Sequence, residues 1–298
     1  MTQTPCQAPG CFFGAIVESS FCWQHVDDKP AYRDKIAELV RKGTHFTEAS
    51  FVKVRFGAVD LSGGKFSKCN FTATYLKSAN LAGCAFRACD FRRANLERAD
   101  LSHATLASCT LEGALLDHAN LQKTVLTESN LDHANLSFAT LIQADFSNMS
   151  AQHACFIGAN LEEARVEHGN FAFANLKGAS AAKVQGAFSI WGGACLYDAD
   201  FEGADLNRAN LVGTDARRAN FKRCNLYFIR PGSANFSHAD FGGANLKRAI
   251  LREADLTDAD LSGADLTGAV LERARLAGIK PGDLDLSGNN TKGAEFDD

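Results

Sequence analysis

One five-residue frame runs unbroken from Phe46 to Phe296, and it restricts the fold more than any other property of the chain. Of its 51 positions, 42 hold leucine or phenylalanine. A second frame, two residues earlier, starts at Thr44 and holds Ala, Cys, Gly, Ser or Thr at 43 of 51 positions. A helix needs apolar residues about every 3.6 positions and a simple strand every second one, so neither explains a period of five.

A closed coil explains this period. If each pentapeptide forms one side of a square turn, four of them complete a coil. The residue of each pentapeptide that lies in the Leu/Phe frame, which we call its centre, then points inward together with the small residue. Stacked coils then pair their backbones about 4.8 Å apart, as neighbouring strands do. The frame gives about twelve coils and a rod on the order of 60 Å long. The sequence therefore predicts an all-β solenoid over 44–298.

The residue before each centre is commonly Asn or Asp, as at Asn80 before Leu81 and Asp255 before Leu256. These side chains bond to nearby backbone and suit the corner of a coil. The tandem pattern A-[DN]-[LF]-x-x resembles the pentapeptide repeat family over about 85% of the chain. The resemblance implies a right-handed quadrilateral β-helix.

The frame is substituted, without a change of phase, at a few places. Its centres become Ala181, Gly186 and Trp191 in succession, and later Pro231 and Pro281. Proline cannot donate a ladder hydrogen bond, so we expect each proline to disrupt one side of a coil locally.

The segment 1–28 precedes the frame and contains Cys6, Cys11, Cys22 and His25. Three thiols and an imidazole in two close pairs suit tetrahedral Zn²⁺ in a closed structural site. Gly10 lets the chain turn tightly before the second ligand. The segment resembles short zinc knuckles of various bacterial proteins, although its first spacing departs from C-x2-C. The alternative is three unrelated buried thiols and a surface histidine.

The segment 29–43 reads as an amphipathic helix with Tyr32, Ile36, Leu39 and Val40 on one face, and with Pro30 and Gly43 at its ends. A solenoid end exposes core and unpaired backbone unless it is capped. We expect the zinc segment and the helix to form the N-terminal cap. A recruitment module is the alternative. No helical pattern follows the last coil, so we expect that coil either to stay lightly protected or to pair with a second copy as a homodimer.

Most cysteines and histidines have a structural explanation. Five thiols in the small-residue frame replace alanine as compact fillers: these are Cys69, Cys84, Cys89, Cys109 and Cys224. Cys155 and Cys195 have no activating neighbour in the sequence. Among the outward histidines, His133 and His153 are twenty residues apart and stack on one side. A metal site at this pair lacks an evident third ligand, so we interpret both as solvated side chains.

One exterior region combines aromatic and arginine residues at intervals that stack on one side of the tube. Such mixtures favour protein contacts. The predicted partner-binding residues are Phe188, Trp191, Arg208, Tyr227, Phe228, Arg230 and Arg248. The alternative is that these large side chains only cover local irregularities of the coil.

The composition limits the function. The 31 basic and 35 acidic residues give a net charge of −4, so no strong field favours nucleic acid or a membrane surface. Basic residues near Arg217 and Lys222 wrap a corner, and we expect no specific nucleic-acid binding. A filled tube offers no catalytic concavity. We expect a cytoplasmic, non-enzymatic protein without a membrane span.

The leading interpretation is an interaction scaffold that binds a protein partner through an exterior face. The family resemblance also implies an alternative, a DNA mimic that protects or inhibits DNA gyrase. The chain departs from that pattern because it lacks a strongly acidic composition, a long inserted loop and a C-terminal dimerisation helix.

Overall fold

The computed structural model describes residues 4–280, 282 and 284–296. A 3₁₀ helix at Trp23–His25 precedes helix α1 at Lys29–Arg41. Three short strands follow, β1 at His45–Thr47, β2 at Lys65–Ser67 and β3 at Ala85–Arg87. They form a parallel sheet in the order β1-β2-β3, with Phe46 beside Phe66 and Phe66 beside Phe86. The ladder therefore advances by twenty residues per step.

Isolated parallel bridges continue this register along the chain, from Ser50 with Asn70 to Arg275 with Glu295. The bridging residue is the one before each Leu/Phe centre, so four pentapeptides separate paired residues. Stacking four pentapeptides per coil thus accounts for the observed ladder, and the protein is a solenoid built of pentapeptides.

The Asn and Asp side chains before the centres hold the turns. Each oxygen accepts a hydrogen bond from the backbone N–H two residues later, as at Asn70 with Thr72 at 2.9 Å. The residue two positions after a centre typically has a positive φ, for example 60° at His133, two residues after Leu131. Because that backbone conformation directs the side chain away from the tube, these positions form exposed corner columns.

The Leu/Phe centres and the small residues fill the interior. Phe51, Phe71 and Phe91 stack at 4.7 and 4.6 Å between ring centroids. The five filler thiols are buried. Burial raises the pKa of Cys84 and of Cys224 to about 12, which keeps these thiols protonated and unreactive.

In the irregular coil at 181–196, one large inward side chain and two small ones replace the usual Leu/Phe centres. Trp191 is 1% exposed and stacks on Phe171 at 4.2 Å. Its neighbouring centres are the small residues Ala181 and Gly186. The indole N–H donates to Ser189 Oγ at 2.6 Å, and that hydroxyl donates to the Gly186 carbonyl at 2.5 Å. One large side chain with a satisfied polar atom therefore fills the space of several smaller ones.

Pro231 interrupts the ladder as expected. Within the described residues, the bridge from Arg230 to Ile250 is not formed, although Ile250 N still donates to Ile229 O at 2.9 Å. The frame continues in phase beyond it. The corresponding prediction for Pro281 lies outside the described residues.

The N-terminal segment packs on the first coil. Tyr32, Ile36 and Val40 on α1 belong to the same hydrophobic core as Phe46 and Phe51. The backbone N–H of Val17 donates to Ser50 O at 2.8 Å, which extends the ladder by one contact.

The far end of the solenoid is less covered. The inward side chains of Leu284, Leu286 and Ala294 are only partly buried, and Phe296 is 50% exposed. No described helix is both long and apolar enough to cross a membrane.

Candidate functional site

The Cys6, Cys11, Cys22 and His25 side chains converge at the N-terminal end. Their ligand atoms all lie within 4.8 Å of one another, and within the described chain no other group of three or more Cys, His, Asp or Glu ligands is comparably close. Cys11 Sγ lies 3.8 Å from Cys22 Sγ. His25 Nδ1 lies 3.3 Å from Cys22 Sγ and 3.5 Å from Cys6 Sγ. These four residues are close enough to hold a metal ion.

Three of the six separations between these ligand atoms fit the edges of a tetrahedral site. Metal–sulfur bonds of about 2.3 Å and metal–nitrogen bonds of about 2.0–2.1 Å place sulfurs about 3.8 Å apart and sulfur and nitrogen about 3.6 Å apart. The observed contacts agree with these edges to within a few tenths of an ångström. The donor set of three thiols and one imidazole is that of a structural zinc site.

Local backbone structure positions these ligands. An antiparallel bridge between Pro5 and Gly14 closes the loop that carries Cys6 and Cys11, and Gly10 turns within it at φ +69°. The 3₁₀ turn then places His25 three residues after Cys22, with His25 N donating to Cys22 O at 2.9 Å. Both ligand pairs thus sit on tight, hydrogen-bonded turns.

The thiols influence one another. Desolvation opposes ionisation of Cys6, but backbone hydrogen bonds at Cys22 and Ala8, with the His25 ring, outweigh it and lower its pKa to about 6. A backbone hydrogen bond at Phe13 lowers the pKa of Cys11, yet desolvation and the adjacent Cys6 and Cys22 thiols raise it overall. Neighbouring thiolates repel each other, and a bound cation would remove that repulsion.

The predicted partner face has a corner column at its centre. Phe188 is 44% exposed, and the Arg208 guanidinium lies 5.5 Å from its ring centroid. Arg230 lies 6.0 Å from the ring of Phe228, and Tyr227 packs beside that ring. Arg208, Arg230 and Arg248 are exposed. The structure therefore places six of the seven predicted residues on the outside.

Trp191 is the exception, and its assignment as a partner-binding residue is wrong. Its side chain is buried against Phe171 inside the tube. The residue occupies a centre of the five-residue frame, and those centres point inward.

Sequence reasoning missed three exposed apolar residues near this face. Phe173 is 60% exposed, Val212 is 49% exposed and Ile190 is 39% exposed. All three occupy outward positions of the frame. Reading those positions in steps of twenty, instead of looking for aromatic and arginine residues alone, would have found them.

The outward histidines also stack in columns. His133 and His153 lie parallel at 5.1 Å between centroids, and Phe173 continues the column above His153 at the same spacing. The parallel rings present edges to solvent. The structure thus describes a stacked aromatic column at the predicted pair.

Comparisons with known proteins identify the repeats. The profile "Pentapeptide repeats" matches residues 109–148, 129–167, 154–185, 194–227 and 234–280, and "Pentapeptide repeat region" matches 42–116. No curated protein matches the sequence. One similar solved structure is that of HetL, a pentapeptide repeat protein involved in heterocyst differentiation regulation from the cyanobacterium Nostoc sp. strain PCC 7120. HetL is 26% identical to this chain. The match covers 81% of this chain and 95% of HetL, with a TM-score of 0.34.

A second solved structure is full-length QnrB1, a plasmid-mediated fluoroquinolone resistance protein. It is 18% identical, and the match covers 77% of this chain and 94% of QnrB1 with a TM-score of 0.26.

Proposed function

Since the chain belongs to the pentapeptide repeat family, we propose that it is a non-enzymatic, cytoplasmic scaffold that binds a protein partner through one exterior face. Its tube is a right-handed quadrilateral β-helix of about twelve coils. The observation that carries the function is the outward column of Phe188, Arg208, Phe228 and Arg248, in which the Arg208 guanidinium lies against the Phe188 ring and Arg230 lies beside the Phe228 ring. Aromatic and arginine side chains are the residues that contribute most to protein interfaces.

The interior supports a binding role over a catalytic one. Leucine, phenylalanine and alanine side chains fill the tube, and buried hydroxyls such as Thr124 and Ser129 donate to backbone carbonyls at 2.8 and 2.7 Å. These hydroxyl groups therefore serve as structural hydrogen-bond donors inside the tube. Chemistry would need an exterior concavity with converging reactive groups.

Substitution of Phe188 and Phe228 tests this function. We expect the double variant Phe188→Ser, Phe228→Ser to capture at least tenfold less partner protein from lysate of its source cells than the wild-type chain does. The reason is that each aromatic side chain buried in the complex contributes about 1–2 kcal/mol or more. Quantitative mass spectrometry of the captured proteins measures the change. Phe138→Ser is the matched control, since Phe138 is 55% exposed in a different column. Equal capture by all three proteins would contradict the proposal.

The N-terminal cluster is a structural zinc site, and with α1 it caps the first coil. Three thiols and one histidine whose ligand atoms lie within 4.8 Å of one another support zinc, and a full set of four protein ligands leaves no position for a reacting water. The shared core of α1 and Phe46 supports capping. Covering Phe46 and Phe51 protects the end of the solenoid from water and from strand addition.

The surface does not favour the gyrase alternative. A DNA mimic needs rows of uncompensated acids, whereas many acids here are paired along the tube. Asp240 lies 2.7 Å from Lys222, and Asp265 lies 2.9 Å from Lys247. The ladder within the described residues also keeps its twenty-residue register without a long inserted loop.

The last coil is the surface through which the protein forms a homodimer. Partly buried Leu286 and half-exposed Phe296 leave apolar area at this end, and pairing with a second copy would cover it. We expect a concentration-dependent dimer in light scattering coupled to gel filtration, and a monomer for Leu286→Lys because the ammonium would be desolvated at the interface. Leu115→Lys, at an exposed leucine on the side of the tube, should remain dimeric. A monomeric wild-type chain at all concentrations would refute this.

A further inference from the structure

An uncharged apolar strip occupies one side of the tube over three successive coils. The segments 170–173, 190–193 and 210–213 stack at the twenty-residue register and contain no charged residue. We define the apolar strip by its outward residues Phe173, Ile190, Gly192, Gly193, Val212 and Gly213. Segments 70–73 and 150–153 on the same side are also uncharged, but they are polar, whereas 90–93, 250–253 and 270–273 each hold two or three charged residues.

The apolar side chains of the strip are solvent-exposed, with Phe173 at 60%, Val212 at 49% and Ile190 at 39%. Exposed apolar side chains grouped in this way, with Asn170 and Asn210 beside Ile190, are typical of an interaction site. The glycines between these side chains make the strip low and smooth. Trp191 is buried inside the tube within the same segment and stacks on Phe171.

The backbone of the strip has no capacity left for strand addition. Phe173 N donates to Gly192 O at 2.9 Å, Gly193 N donates to Val212 O at 2.9 Å, and Gly213 N donates to Gly232 O at 3.0 Å. These bonds run along the tube and satisfy the ladder. An occupant must therefore bind through its side chains, which favours an amphipathic helix over an extended segment.

The charges around the strip are unbalanced. Arg208 and Arg230 border it, and neither has a carboxylate within ion-pair distance in the described part of the chain. Acids on the opposite border are already engaged, since Asp198 and Asp215 each accept from an arginine at 2.8 Å. The exposed border therefore attracts acidic groups on an occupant.

The aromatic rings are poor platforms for nucleic-acid bases. Phe188 lies between the His168 ring, 5.2 Å away between centroids, and the Arg208 guanidinium. Phe173 lies between the His153 ring and the backbone of Gly193. Both faces of each ring are covered, and base stacking needs a free face. The exposed ring edges suit aliphatic side chains.

We propose that the apolar strip binds an amphipathic helix of a partner protein, with apolar side chains against Ile190 and Val212 and acidic side chains along Arg208 and Arg230. The inference rests on the proposed protein-binding function and specifies the partner's chemistry. Three ladder positions at about 4.8 Å spacing span about 10 Å, which is just under two turns of helix. The occupant therefore presents one short apolar stripe with an acidic flank.

Two synthetic helical peptides with the same leucine stripe test this, one with glutamates along one flank and one with lysines. Fluorescence anisotropy measures their affinity for the full chain. We expect the acidic peptide to bind at least tenfold more tightly than the basic one. Ile190→Glu with Val212→Glu should weaken it at least tenfold, and Arg208→Glu with Arg230→Glu should remove the preference. Leu115→Glu, at a leucine 39% exposed elsewhere, should change nothing.

Several results would overturn the inference. These are equal binding of both peptides, undiminished binding to the Ile190 and Val212 variant, or tighter binding of a single-stranded oligonucleotide. A dimer that this variant converts to a monomer would show that a second copy occupies the strip. Partner capture that depends on Phe188 and Phe228 but not on Ile190 and Val212 would remove the helix inference and leave the proposed function standing.

Discussion

Replacing Trp191 with alanine is expected to lower the free energy of unfolding by about 3–5 kcal/mol, the range for removing a large buried aromatic side chain. Trp191 is 1% exposed, and neighbouring Ala181 and Gly186 are too small to fill the cavity. The stacking with Phe171 and the hydrogen bond to Ser189 are lost as well. Urea denaturation followed by circular dichroism measures the change.

The exposed Phe173 provides the matched control. Phe173→Ala removes an aromatic residue one coil away, but its ring is 60% exposed, so we expect a change within about 0.5 kcal/mol. Equal unfolding midpoints for the two variants would contradict the internal role of Trp191.

Gly186→Ala tests the same interior packing by adding a methyl group instead of removing a side chain. An added Cβ would lie 2.9 Å from Leu206 Cδ2 and 3.0 Å from Val166 Cγ2, so overpacking should destabilise by about 1–3 kcal/mol. An unchanged midpoint for this variant would show that the interior can absorb a methyl group there, and that the glycine is not needed to accommodate Trp191.

The period of five was enough to predict the solenoid because it recurs too often to have another cause. The same rule should have placed Trp191 inside, since it occupies a centre of the frame. Grouping Trp191 with the outward Phe188 ignores this position. Position within the repeat, and not proximity in the chain, decides which way a side chain points.

Other features could not be predicted from the sequence alone, because they depend on which residues lie next to each other in the folded chain. The identity of Ile190 and Val212 as surface residues follows from the frame, but their isolation from charge appears only when coils are stacked. The ligand spacing suggested the cluster of Cys6, Cys11 and Cys22, whereas the tetrahedral separations require the turns on which these residues sit. Packing of α1 on the first coil also needed coordinates, because an apolar helix face does not specify its partner.

Removal of zinc is expected to disconnect the N-terminal cap while leaving the middle of the solenoid folded. The purified protein should contain one zinc per chain by elemental analysis, and Cys22→Ser should abolish stoichiometric binding because three ligands hold the ion far more weakly. Structural zinc contributes apparent binding free energies of about 10–16 kcal/mol in small domains, so segment 4–26 should lose its fixed structure. Hydrogen exchange at β1 should then rise at least tenfold.

The effect should fade along the tube, because each coil of a solenoid contacts only its neighbours. Amides near Phe46 and Phe51 lose the cover of the cap, whereas those near Leu136 keep coils on both sides and should exchange as before. Cys195→Ser is the matched control, since this free, partly exposed thiol lies far from the cluster. Full zinc in Cys22→Ser, or exchange at β1 that does not respond to chelation, would contradict the zinc-dependent cap.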